Sequence, residues 1–109
     1  MTDQERQIAT AEACGWKDIR NRFDQTKRDF VIVGISPQIK SICELLPDYL
    51  NDLNAMHEAE KTLTPAEWEV YPDRLWGVLQ TEKESFVLLH ATSRQRNEAF
   101  LRVKGLWKD

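Results

Sequence analysis

The sequence predicts one α+β domain over residues 1–109, a small sheet covered by helices, on three observations. Helix-start signatures recur at Thr2, Thr64 and Thr92. Two short runs rich in apolar and β-branched residues, Phe30-Val-Ile-Val33 and Ser85-Phe-Val-Leu-Leu-His90, lie between them. The apolar share, 41%, together with four Trp and four Phe, suffices for one core in a chain of 109 residues.

The elements follow in order. Thr2-Asp-Gln-Glu5 is a capping box, in which threonine hydroxyl and glutamate carboxylate each satisfy an orphan backbone N–H. It opens a predicted helix that runs to about Cys14 and buries Ile8, Ala11 and Cys14. Gly15 stands where a left-handed residue ends a helix, and Trp16 is the apolar residue that folds back over the last turn. Residues 17–35 predict a hairpin. Its first arm carries Ile19 and Phe23, its turn is the polar stretch 24–29, and its second arm, 30–33, reads as a strand buried on both faces. Gly34 and Pro37 end it. Ile39, Ile42 and Leu45 recur every third residue in the loop that follows and fit a short helical turn.

A second helix is predicted from Pro47 and Asp48 to about Lys61. Proline suits a first turn, and Asp48 suits the positive end of the helix dipole. Leu46, Leu50, Leu53, Met56 or His57, and Leu63 make its apolar stripe, with Asp48, Asn51 and Asp52 on the other side. Thr64-Pro-Ala-Glu67 is a second capping box. Pro72 removes a helical donor and clashes with the preceding turn. The expectation is therefore a short helix at 65–70, a bend at 71–72, and another short helix to about Gln80, with Trp68, Leu75, Val78 and Leu79 inward. Residues 85–90 predict a second buried strand. Thr92, with Gln95 three residues on, caps the last helix, which buries Ala99, Phe100 and Val103. Gly105 and Leu106 repeat the glycine-plus-apolar ending, and Trp107 packs beyond it. Trp16 and Trp107 are expected in the core.

Three pieces occur in order: Ala11-Glu-Ala-Cys-Gly-Trp16; Pro47-Asp-Tyr-Leu-Asn-Asp-Leu-Asn-Ala-Met-His-Glu-Ala-Glu60; and His90-Ala-Thr-Ser-Arg-Gln-Arg-Asn-Glu-Ala-Phe-Leu-Arg102. With the close at Gly105-Leu-Trp107, they resemble small phage and prophage proteins related to the phage α/β sandwich domain family. Residues 64–84 depart most from that pattern. The resemblance implies a layered α/β fold and a place in the cytoplasm of an infected bacterium. It implies no catalytic residues.

Chemistry is sparse in the sequence. With two His, two Cys and four Gly, there is no Gly-rich phosphate loop, no H-E-x-x-H and no G-x-S-x-G. His57-x-x-Glu60 is a weak metal or general-base signal, and a surface histidine is the simpler reading. His90 reads as a partly buried histidine at a strand end. Cys14 and Cys43 are too few and too far apart for a zinc or redox motif, and read as two reduced thiols. Cys14 lies at the wrong end of its helix for a depressed thiol pKa. The expectation is therefore a protein that is not an enzyme and needs no metal and no cofactor. No apolar run approaches the roughly 20 residues of a membrane span, and the start, MTDQERQIAT, is unlike a signal peptide.

Charge is polarised along the chain. Glu44, Asp48, Asp52, Glu58, Glu60, Glu67, Glu69 and Asp73 make an acidic middle, whereas Arg94, Arg96, Arg102, Lys104 and Lys108 make a basic end. These groups either pair with each other within the fold or form an acidic face for a basic partner. On the second reading Asp48, Asn51, Asp52 and Glu58 bind the partner, with Tyr49 at the rim, and the partner is a host protein with a basic surface. The alternative is a nucleic-acid contact through Arg94, Arg96 and Arg102; the net charge of −3 disfavours it.

Overall fold

A computed structural model describes residues 1–26, 28–38, 43–81 and 91–108. The predicted strand at 85–90, His90, Ile39 and Ile42 lie outside the described residues. Among them the chain runs α1 (Asp3–Ala13), β1 (Lys17–Asp24), β2 (Asp29–Ile35), β3 (Cys43–Leu45), α2 (Leu53–Glu60), α3 (Pro65–Thr81) and α4 (Ser93–Val103). This is the expected α+β class. The strands form an antiparallel sheet in the order β1-β2-β3.

The helix ends follow local rules. Thr2 Oγ1 accepts from the Glu5 N–H, and the Thr2 N–H donates to Glu5 Oε1, both at 3.1 Å. Thr64 with Glu67 and Thr92 with Gln95 close the same reciprocal pair. At the other ends, Gly15 and Gly105 take φ of 96° and 74°, which favours glycine because it has no Cβ. The N–H groups of Trp16 and Leu106 then reach back to the carbonyls of Ala11 and Leu101 at 3.0 and 2.8 Å.

The core is built by the helices. Ala11, Met56, Ala59, Leu63, Tyr71, Leu75, Val78, Ala99, Phe100 and Leu101 form one buried cluster, joined by Leu46 and Tyr49 from the turn before α2. The root of the hairpin leans on it through Trp16, Ile19 and Ile32. Beneath the apolar cluster lies a polar seam between α1 and α4. Arg6 Nε donates to Asn97 Oδ1 at 3.0 Å, Asn97 Nδ2 to Thr10 Oγ1 at 2.7 Å, and the Thr10 hydroxyl to the Arg6 carbonyl at 2.8 Å. Asn97 and Thr10 are fully buried, and these bonds satisfy them.

Five expectations need correction. First, β2 is not buried on both faces: Phe30 is 66% exposed, and only Val33 and Gly34, near the root, are buried. Phe30 and its cross-strand partner Phe23 are both exposed and pack on each other, with ring centroids 5.4 Å apart. Second, Leu45 belongs to strand β3, paired with Val33, not to a helical turn. Third, α2 starts at Leu53. Asp52 is its N-cap, accepting from the N–H groups of Asn54 and Ala55 at 3.0 and 3.4 Å, and Leu53 is exposed rather than part of the apolar stripe. Aspartate is among the best N-cap residues, and residues before it turn instead so that Tyr49 and Leu50 can face the core. Fourth, α3 continues through Pro72. Pro72 and Trp68 are both exposed, so water can satisfy the Trp68 carbonyl that the proline leaves without a donor, and the expected inward position of Trp68 is wrong. Fifth, Trp16 and Trp107 are only partly buried and pack at the border of the core.

Candidate protein-binding surface

The predicted acidic face is centred on the corner before α2. The Asp52 N–H donates to the Asp48 carbonyl at 2.9 Å, which closes the turn. Asn51 Nδ2 lies 3.2 Å from each Asp48 carboxylate oxygen and holds that side chain in place. Asp48, Asn51 and Asp52 are all exposed. Glu58 is exposed on α2 and pairs with Lys61 at 2.8 Å; both side chains are about 70% solvent-accessible, so the pair adds little stability. Tyr49 is not at the rim. It is 3% exposed, and burial, followed by the neighbouring Cys14, pushes its phenol pKa well up. Its ring carries too much apolar area to leave in water when the adjacent turn can direct it inward.

The basic residues of α4 are largely committed within the fold. Arg94 pairs with Asp3 at 2.6 Å, Arg96 with Glu60 at 3.1 Å, and Arg102 with Glu98 at 2.9 Å. Arg102 also lies over the Trp107 ring, 5.0 Å from its centroid, and Arg6 sits at the same distance. Two of the acids in the middle of the chain find bases at its end: Glu60 takes Arg96 and Glu67 takes Lys104. The charge polarity of the sequence is thus partly neutralised by folding.

Glu67 shows the consequence. Its carboxyl is held below its ordinary value of 4.5, chiefly by the hydrogen bond from Lys104 and then by the Thr64 N–H. Arg94 holds Asp3 below 3.8, and the Thr2 bonds hold Glu5 below 4.5. Each folded pKa lies under its unfolded value, so each group's contribution is complete above that value and is lost as pH falls through the folded one. Urea unfolding should therefore give flat stability from pH 7 to roughly pH 5 and a decline below about pH 4. Glu67→Gln should lower neutral stability and flatten the decline; an unchanged acid limb in that variant would contradict the assignment.

The remaining reactive groups are separate. Burial raises the Cys14 thiol pKa, away from thiolate. Cys43 Sγ accepts from Arg20 Nη2 at 3.4 Å. His57 is half exposed, 3.9 Å from Glu60 Oε1. Among the described residues no three His, Cys, Asp or Glu side chains are placed to hold a metal, and no helix is long and apolar enough to cross a membrane.

One surface was missed in the sequence. Trp68 and Trp76 are 44% and 47% exposed on α3. The core stripe of this helix is Tyr71, Leu75 and Val78. Trp68, Pro72 and Trp76 recur at four-residue steps beside it and form a row of their own. Around the helix, Trp68 lies only about 20° from Leu75 at 3.6 residues per turn, so the apolar pattern alone runs the two rows together, and Trp68 reads as core.

The fold and its surface define a small α+β protein with an exposed acidic corner before α2 and an exposed aromatic row on α3. No protein-family model matches the chain, and neither a curated protein nor a solved structure shows significant similarity to it.

Proposed function

We propose that the protein acts by binding rather than by catalysis, and that its partner is a host protein with a basic surface. The carrying observation is the corner before α2, where the Asp48 and Asp52 carboxylates are exposed and held by their own turn. Fixed carboxylates lose little entropy on pairing with Arg or Lys, and such charges steer encounter. The resemblance to phage and prophage proteins supports an infected bacterium as the setting. Inhibition of host defence, in the manner of an anti-CRISPR protein that covers a nucleic-acid-binding surface, is the concrete form of this role. The alternative, nucleic-acid contact through α4, has less support, because Arg94, Arg96 and Arg102 each pair with a carboxylate of the protein.

The test is quantitative capture from host lysate with wild type and an Asp48→Lys, Asp52→Asn variant. Asparagine keeps the N-cap while removing its charge. The variant should fold normally and associate on the order of 10-fold more slowly, with a weaker salt dependence. Retention of every partner at wild-type rate would remove this corner from the function. Submicromolar duplex binding that weakens steeply with salt would favour the alternative.

A further inference from the structure

We infer that the solvent face of α3 docks a cationic amphipathic helix of the partner, with Trp68 and Trp76 as anchors and Glu69 and Asp73 as its charge contacts. This rests on the protein-binding reading above and adds a surface to it.

The geometry fits a helix. Trp68 and Trp76 are eight residues apart, about 12 Å along the axis at 1.5 Å per residue. An apolar row on a facing helix repeats at i and i+7 or i+8, nearly the same interval. Pro72 lies between them and keeps the row apolar. The anchors are half exposed, and tryptophan is the side chain most enriched at binding hot spots.

Trp68 is also held before any partner arrives. Tyr71 meets its ring edge-to-face, with centroids 5.5 Å apart and planes at 86°. Tyr71 is in turn fixed by its hydroxyl, which donates to Glu60 Oε2 at 2.5 Å. A side chain already ordered loses less freedom on binding.

The charges set the partner's sign. Glu69 and Asp73 are exposed and one turn apart in the row next to the tryptophans. Like charges at that spacing repel. Among the described residues neither makes an ion pair, whereas Glu58, Glu60, Glu67 and Glu98 all do. Lysines or arginines from outside would relieve that repulsion while their helix covers the indoles.

The probe is a synthetic Leu/Lys peptide with an amphipathic helical pattern, compared with an isomer of the same composition and scrambled order. Binding is followed by NMR of the isotope-labelled protein, with the Trp68 and Trp76 indole signals assigned from single Trp→Phe variants. The amphipathic peptide should shift both indoles and the α3 amides, and bind at least about 10-fold more tightly than its isomer. Trp68→Ala, Trp76→Ala should abolish that preference. Glu69→Lys, Asp73→Lys, which leaves the aromatics in place, should weaken binding about 10-fold and reduce its salt dependence. Equal binding of the two isomers, or shifts confined to residues 48–58, would overturn the α3 assignment while leaving the acidic corner standing. Indole signals that broaden with protein concentration alone would overturn it in favour of a second copy on this face. Loss of host-protein capture in the corner variant but not in the tryptophan variant would also overturn it.

Discussion

Glu60→Ala is expected to destabilise the protein by about 3–5 kcal/mol, the range for breaking a buried ion pair from one side. Glu60 is 5% exposed. Its Oε2 accepts from the Tyr71 hydroxyl at 2.5 Å and from Arg96 Nη1 at 3.1 Å, so one carboxylate links α2, α3 and α4. Arg96 is 15% exposed at its side chain. Without Glu60 it would keep its charge in a nearly dry site, with the Ala91 carbonyl, 3.2 Å from Nε, as a remaining acceptor. The Tyr71 hydroxyl would fall back on the Arg96 carbonyl at 3.3 Å, a longer bond. Burial first, and Glu60 second, push the Tyr71 phenol well above its ordinary pKa, so the hydroxyl stays a donor throughout the working pH range.

A control separates the pair's net worth from the cost of breaking it. Glu60→Leu with Arg96→Leu removes both charges and should recover most of the loss, since buried pairs often break even against apolar replacements. Urea midpoints with unchanged slopes would report this directly. A Glu60→Ala protein within about 1 kcal/mol of wild type would mean that solvent reaches the site and that the network carries little.

Glu60 also shows where sequence reading stops. It stands in an acidic run and reads as one more exposed carboxylate, yet its partner Arg96 is 36 positions away. Lys104 is 37 positions from Glu67. Pairings of this kind depend on how α2, α3 and α4 meet, and no local pattern encodes that. Helix ends are different: Thr2, Thr64 and Thr92 close their caps with residues three positions on, and Gly15 and Gly105 close theirs within the last turn, so the information is local and legible. Competition between two local signals is the intermediate case. Pro47-Asp48 and Asp52 are each acceptable starts for α2, and burial of Tyr49 and Leu50 decides for Asp52. Pro72 fails as a breaker because it lies on the solvent side, where water can take the carbonyl it leaves without a donor. Glu58 is exposed on a helix as its pattern implies, whereas Asp48, Asn51 and Asp52 are exposed because they form the turn and N-cap before α2, and the Trp68–Trp76 row depends on which side of α3 meets α4.

Phe100→Ala should be the most damaging single truncation of the apolar core, at about 3–5 kcal/mol. Phe100 is 0% exposed and is the largest fully buried side chain among the described residues. Its neighbours on α4, Ala99 and Leu101, are also 0% exposed, so truncation leaves a gap inside the close-packed core. Lys104 Nζ lies 5.8 Å from its ring centroid, and that contact is lost as well. Trp16 and Trp107, larger by volume, should cost less. Both are partly buried against the core, and the guanidinium groups of Arg6 and Arg102 each lie 5.0 Å from the Trp107 ring centroid. Water can replace part of what an indole at the border leaves behind, so Trp107→Ala and Trp16→Ala should each cost about 1–2 kcal/mol, near half the full-burial loss. Ranking the three variants by urea midpoint decides the matter. If Trp107→Ala proves as costly as Phe100→Ala, the two-arginine clamp on its ring, not the apolar cluster around Phe100, is the main fastening of α1 to α4.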